Sequence, residues 1–340
     1  MKRLTLDAMR RAYAIPLDGG LGECAIIIVA AAWMLGLRGL FALNPAWSPL
    51  AMSCGFLVLS PLALGFVHVT LAWRRRPHTW RYALLAPLLP MLLTLMLSAC
   101  FGLEGPLCLT FVTPLLLLFA SAGGALSWIW HRRRDAHATR CYIVLLPPLL
   151  AMALLPPVRT VQELHVTHEF AATPEQLWRQ LIEPGQIAVH ESGPGLIWRI
   201  GAPRPLSTVL LARSDHQAHG IGSVRRNAWQ RGVSFDEVVD SWRPGQEIGW
   251  TYRFYPSSFP RGSMDLHAAP NSRSMQFLHT RYRIFPLDGG RVRLEMRLRY
   301  RLESGVNWYV RPLSNWLLAD GAQELLGLFE RRVQQAAARK

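Results

Sequence analysis

Residues 141–170 read CYIVLLPPLLAMALLPPVRTVQELHVTHEF, and the reading of this stretch decides the architecture. Up to Val158 it is a charge-free apolar run. From Thr160 it alternates apolar and polar residues with the period of a strand. Text of the first kind fills the chain before it, and text of the second kind fills the chain after it. The sequence therefore predicts an all-α transmembrane region followed by one α+β domain. The expected boundaries are 1–20 for a cytoplasmic tail, 21–158 for the transmembrane region and 159–340 for the α+β domain.

Upstream, four further apolar runs cover about 21–43, 49–73, 82–101 and 107–130, and 141–158 makes a fifth. Each is long enough to cross a hydrocarbon core of about 30 Å as a helix. Basic residues sit before the first run (Lys2, Arg3, Arg10, Arg11), between the second and third (Arg74, Arg75, Arg76, Arg81) and between the fourth and fifth (Arg132, Arg133, Arg134, Arg140). The alternate connections, NPAWSP at 44–49 and GLEGP at 102–106, hold none. Under the positive-inside rule this alternation predicts a cytoplasmic N-terminus, five crossings and an external, periplasmic C-terminal domain in a bacterial-type inner membrane. The fifth run carries Pro147, Pro148, Pro156 and Pro157, so a re-entrant segment with a cytoplasmic domain stays open as the other topology. Few polar residues fall inside the runs. Glu23 and Arg38 lie near the ends of the first, where reaching to the interface is the simple reading, and His68 reads as an interfacial histidine.

Of the 340 residues, 37 are Lys or Arg and 22 are Asp or Glu, for a formal net charge of +15. Only Lys2 and Lys340 are lysines, and both halves of the chain are basic. With no zinc-finger spacing, phosphate-binding Gly loop or aromatic nucleic-acid signature, the partner this charge implies is an anionic phospholipid membrane and not nucleic acid. All five cysteines precede Val158 without metal-site spacing. The histidines of the second half are scattered, and no nucleophile elbow is present, so no metal and no cofactor is expected.

In the second half VQELHVTHEF reads as a strand with Leu164, Val166 and Phe170 on one face. Thr173 is placed to cap a helix starting at Pro174 and burying Leu177, Trp178, Leu181 and Ile182. A short strand is expected at LIWRI (196–200), and others at about 206–213, 221–230, 233–243 and 246–255. MQFLHTRYRIFPL and RVRLEMRLRYRL form a hairpin around Asp288-Gly289-Gly290. A long helix over about 306–338 closes the chain, with Trp308, Leu313, Trp316, Leu317, Leu325, Leu328 and Phe329 as its apolar stripe, and Pro312 as a kink or as its true start.

Three passages carry a family resemblance: HVTHEFAATPEQLWRQL, VSFDEVVDSWRPGQEIGWTY and FPLDGGRVRLEMRLRY. Together, over about 160–335, they resemble the START/SRPBCC helix-grip superfamily, in particular its polyketide-cyclase/dehydrase-like branch. The resemblance implies an antiparallel sheet wrapped on the long C-terminal helix, with a cavity for a hydrophobic ligand between them. The residues it would place along that cavity are Phe235, Glu237, Val239, Leu278, Tyr282, Leu294, Met296, Leu298, Tyr300, Trp316, Leu317 and Leu325, any of which is also consistent with ordinary core. Glu237 shares a strand face with Phe235 and Val239, so it is a weak catalytic candidate, or a structural partner for Arg225. The long loop 256–273, with Phe259 and Met264, would cover the cavity mouth.

Arg281, Arg283, Arg291, Arg293, Arg297, Arg299 and Arg301 fall on the other face of the hairpin. They read either as a solvated ladder relieved by Glu295, Asp236 and Asp240 or as a surface for anionic lipid. The leading functional expectation is membrane-anchored binding or transfer of a lipid or other apolar small molecule, without covalent chemistry. The alternatives are a cyclase- or hydrolase-type enzyme using Glu237, and a sensory or assembly subunit with a membrane-protein partner.

Overall fold

The computed structural model describes residues 21–43, 47–74, 77–133, 148, 150–151, 154–211, 219–265 and 267–338. The chain forms two compact units, one of Met1–Glu104 with Leu109–Pro157 and one of Gly105–Cys108 with Val158–Lys340.

The first unit is helical: α1 (Leu21–Leu43), α2 (Ser60–Trp73), α3 (Trp80–Leu85), α4 (Leu88–Cys100) and α5 (Pro106–Arg133). A 3-10 turn at Ser48–Met52 and a π turn at Gly55–Leu59 lead into α2. Four helical stretches, Gly22–Leu43, Gly55–Trp73, Trp80–Cys100 and Pro106–Arg133, are long and apolar enough to cross a membrane. The fifth expected span lies for its greater part outside the described residues, as does the tail 1–20.

Small residues let these helices approach closely. A Cβ on Gly123 of α5 would fall 1.9 Å from the Leu62 carbonyl oxygen of α2, and one on Gly65 of α2 would fall 1.9 Å from that of Ala120. Backbone approach of this kind is how helices pack where no hydrophobic drive exists between them. Two polar residues of the apolar runs are placed within this unit. His68 is buried among the helices, only 3% exposed. Arg38 does not simply reach outward: it pairs with Glu104 and donates to the Leu103 carbonyl at 2.6 Å.

The second unit holds one eight-stranded antiparallel sheet in the order β1-β8-β7-β6-β5-β4-β3-β2. Its strands are β1 (Val158–Phe170), β2 (Gly185–Gln186), β3 (Pro205–Leu211), β4 (Val224–Trp229), β5 (Ser234–Arg243), β6 (Glu247–Arg253), β7 (Met275–Leu287) and β8 (Arg291–Ser304). Between β1 and β2 lies α6 (Pro174–Ile182), between β2 and β3 lies α7 (Leu196–Arg199), and α8 (Asn307–Ala338) ends the chain. The order is that of a helix grip, α+β, as the alternation predicts.

Each β8 residue of the apolar parity (Val292, Leu294, Met296, Leu298, Tyr300, Leu302) is buried. They share one core with Leu164, Val166 and Phe170 of β1 and with Ala322, Leu326, Leu328, Phe329 and Val333 of α8. Thr173 caps α6 in a reciprocal box, accepting from the Gln176 amide while its own amide donates to the Gln176 side chain at 2.9 Å.

The strand expected at 196–200 is instead the helical turn α7, fixed by the Ile197 amide donating to Asp320 of α8 at 2.9 Å. The two-residue β2 was not anticipated. It is too short to show a period and is held from outside, because Arg332 of α8 donates to the Pro184 and Gln186 carbonyls and pairs with Glu191 at 2.6 Å. Pro312 marks neither start nor break, since α8 begins at Asn307 and runs through it.

Candidate functional site

The concave face of the sheet is apolar toward β8 and β1 and turns polar across β3 to β7. Register sets which residues meet. Arg225 on β4 lies opposite Glu237 on β5, and Glu237 lies opposite Tyr252 on β6. Trp250 lies opposite Thr280 on β7, and Thr208 on β3 opposite Asn227. Strand alternation turns all of these toward α8, and all but Tyr252, which is half-buried, are buried.

Arg225 Nε stands 3.4 Å from Glu237 Oε2, both residues being about 95% buried. The guanidinium lies over the Trp250 ring, 4.3 Å from its centroid. Thr208 donates to Asn227 Oδ1 at 2.7 Å, and the Tyr252 and Thr280 hydroxyls are 2.6 Å apart. Yet Arg225 Nε and Nη1, Glu237 Oε2 and Trp250 Nε1 complete no hydrogen bond among the described residues. Two of these atoms, Arg225 Nε and Glu237 Oε2, face each other in the 3.4 Å ion pair, and Arg225 Nη1 and Trp250 Nε1 add two more buried donors to the same patch, whereas native interiors satisfy nearly all such groups.

Burial pushes the Glu237 carboxyl above the usual carboxylate range, and the Arg225 charge with the polar groups of Asn227 and Trp250 offsets only part of that. Burial, reinforced by the neighbouring Glu237, raises the Tyr252 phenol. The Tyr282 phenol is raised by burial too, against the pull of Arg225. Tyr300, at the apolar end, is pushed up to about 12 by burial. The patch thus holds one fixed cation, one carboxyl whose charged form is disfavoured, and neutral phenols.

Beside it runs an aromatic wall. Phe235 contacts Trp229 at 5.6 Å, Tyr252 at 6.1 Å and Phe254 at 5.7 Å between centroids, and Phe254 reaches Phe259 at 5.8 Å. Phe259 belongs to the 256–273 loop, so the wall connects the polar patch to that loop.

Among the residues expected along a cavity, Phe235, Glu237, Val239, Tyr282, Leu294, Met296, Leu298, Tyr300 and Leu317 are buried, and Leu325 packs against the core half-buried. Two are misplaced. Trp316 is 54% exposed, because it lies about 100° around α8 from the buried Leu317. Leu278 is the extra residue of a bulge between Phe277 and His279, so Phe277 takes the inward position opposite Tyr300. Asn227, Trp250, Tyr252 and Thr280 are not among the residues expected from sequence, because their meeting with Glu237 depends on register across β4 to β7.

The convex face carries the arginines. Glu247 pairs with Arg283 at 2.7 Å and Arg281 at 3.7 Å; Arg297 pairs with Glu295 at 2.6 Å and Glu163 at 3.9 Å; Arg291 pairs with Glu169 at 3.3 Å. Of the acids expected to relieve the ladder only Glu295 does so. Asp236 pairs with Arg226 and accepts from the Tyr255 hydroxyl, and Asp240 holds His279. Arg293, Arg299 and Arg301 have no carboxylate partner among the described residues.

Comparison of the chain with protein-family models and with curated proteins gives no match. Solved structures with a similar trace include a norcoclaurine synthase point mutant from Thalictrum flavum, 13% identical over 53% of this chain and 98% of that one, TM-score 0.33. A START superfamily protein from Mycobacterium smegmatis is 15% identical over 51% and 98%, TM-score 0.33. The ZhuI aromatase/cyclase from Streptomyces sp. R1128 is 11% identical over 52% and 96%, TM-score 0.34. At such scores these likenesses carry no functional weight, and the helix-grip assignment stands on strand order and α8.

Proposed function

We propose that this chain is a membrane-anchored binding or transfer protein, holding a lipid or other apolar small molecule between the concave sheet and α8. The observation that supports it is the patch of Arg225, Glu237 and Trp250. It offers open hydrogen-bonding capacity inside an otherwise apolar and aromatic enclosure, the composition of a small-molecule site. A ligand with an apolar body would lie along Phe235, Tyr252 and Phe254, and its polar group would accept from Arg225 Nη1 and Trp250 Nε1. The helices of 21–133 serve to keep this site at a membrane surface, with the N-terminus cytoplasmic and the domain periplasmic by the distribution of arginine.

The test is mass spectrometry of an organic extract from the full chain after exhaustive detergent exchange. One defined apolar species near one per chain supports the reading, and a folded protein carrying none after exchange contradicts it.

A second reading has its own observation. A buried carboxyl held above its ordinary range is suited to general acid–base work, so Glu237 would serve a cyclase- or hydrolase-type reaction. It predicts a turnover that Glu237→Gln abolishes while binding persists.

A further inference from the structure

The opening turns of α8 carry aromatic bulk outward. Trp308 and Trp316 are 65% and 54% exposed. With the exposed Arg311 and Pro312 they follow the spacing i, i+3, i+4, i+8, which gathers four side chains on one helix face. The opposite side of the same turns is buried through Val306, Ser314 and Leu317, so the helix is seated in the domain and its orientation is fixed. From Asn307 to Ala319 there is no acidic residue.

The ridge also has a defined place on the chain. The Asn307 side-chain amide donates to the Val158 carbonyl at 2.8 Å. Val158 is where the apolar run of 141–158 ends and β1 begins. The first turn of α8 is therefore bonded to the residue at which the last apolar run ends, and Val158 is itself 60% exposed there.

We propose that the face formed by Trp308, Arg311, Pro312 and Trp316 seats in the headgroup layer of the bilayer that carries the apolar half of this chain. Indoles prefer that layer because one edge is apolar and the other donates a hydrogen bond. Arg311 meets lipid phosphate there with no acid on its own face to compete. The proposal rests on the reading that the helices of 21–133 are membrane-embedded. It assigns the bilayer contact to α8 and not to the convex sheet face, where four of the seven ladder arginines (Arg281, Arg283, Arg291, Arg297) are already paired with carboxylates.

The full chain is reconstituted in vesicles of phosphatidylethanolamine and phosphatidylglycerol that contain, in separate preparations, a phospholipid with a diazirine near the headgroup or deep in the acyl chain. After irradiation, labelled peptides are mapped by mass spectrometry. The headgroup probe is expected to label 307–319 well above 291–301, and Trp308→Ser with Trp316→Ser to lower that labelling by more than about tenfold, as the loss of two lipid-seated aromatic side chains implies. Labelling concentrated on 291–301 overturns the proposal, as does labelling confined to the helical unit. Protection of 307–319 from hydrogen exchange that persists in detergent and rises with protein concentration would assign the face to a second copy, and also overturns it. The acyl probe separates the two levels. If it marks 21–133 while the headgroup probe leaves 307–319 clean, only the α8 assignment falls; if it fails to mark 21–133, the membrane reading falls with it.

Discussion

Arg225 and Glu237 face each other inside the sheet at 3.4 Å, and each is the other's main compensation for leaving water. Removing one member of a buried pair strands the other, at a cost of about 3–5 kcal/mol, whereas replacing both by apolar residues of similar size is close to neutral. Arg225→Met should therefore lower the denaturant midpoint strongly, and Arg225→Met with Glu237→Leu should recover most of the loss. Equal loss in both would show that the pair is not the cause. Glu303 behaves differently. It is 3% exposed and accepts from Arg159 at 2.6 Å and Arg273 at 2.8 Å. Burial alone would raise its carboxyl, but the two arginines bring it below the ordinary range. A carboxyl depressed in the folded state stabilises fully above its unfolded value, near about 4.3, and that stability is lost as pH falls through the lower folded value. Unfolding between pH 7 and pH 3 should show a steeper acid loss in the native chain than in Glu303→Gln, and parallel curves would refute the assignment. At this scale the sequence was partly readable: parity alone turned Glu237 inward beside Phe235 and Val239. Whether Arg225 answered it depended on the β4–β5 register, which no local pattern carries.

Elements explain where that reading slipped. Counting by twos along β7 points Leu278 inward with Tyr282, but the bulge resets parity and gives the place to Phe277. A second bulge, between Val239 and Ser241 on β5, lies across β6 from it, and together they add the local bend and twist that bulges impose. Alternation reports a strand and is blind to an inserted residue. On α8, Trp316 and Leu317 are both apolar, but the step of about 100° between them carries Leu317 into the core and leaves Trp316 outside its edge. The start of α6, by contrast, is legible, since Thr173 and Pro174 announce it, while the reciprocal bond from Gln176 is a finding of the structure. Thr173→Ala should cost about 1 kcal/mol, read as a shift in denaturant midpoint. In the helical unit, Gly123→Leu should disrupt the α2–α5 approach, because its first carbon already meets the Leu62 carbonyl. Lower thermal stability in detergent is the readout, and an unchanged melting point would show that the two helices do not approach so closely.

For the whole molecule, the change from continuous to alternating apolar text near Val158 coincides with the division at Pro157/Val158. Architecture was legible because it is written in periods many residues long, and the chemistry was not because it resides in four atoms brought together from three strands. The central claim is that those atoms receive an apolar ligand. The most direct measurement titrates the full chain in nanodiscs with a pyrene-labelled long-chain fatty acid, against empty nanodiscs and against Trp250→Phe, which removes one open donor and leaves the Arg225–Glu237 pair in place. The account predicts saturable binding near one per chain that weakens about fivefold in the variant, the worth of one hydrogen bond. Uptake that matches empty nanodiscs, without saturation, would contradict it.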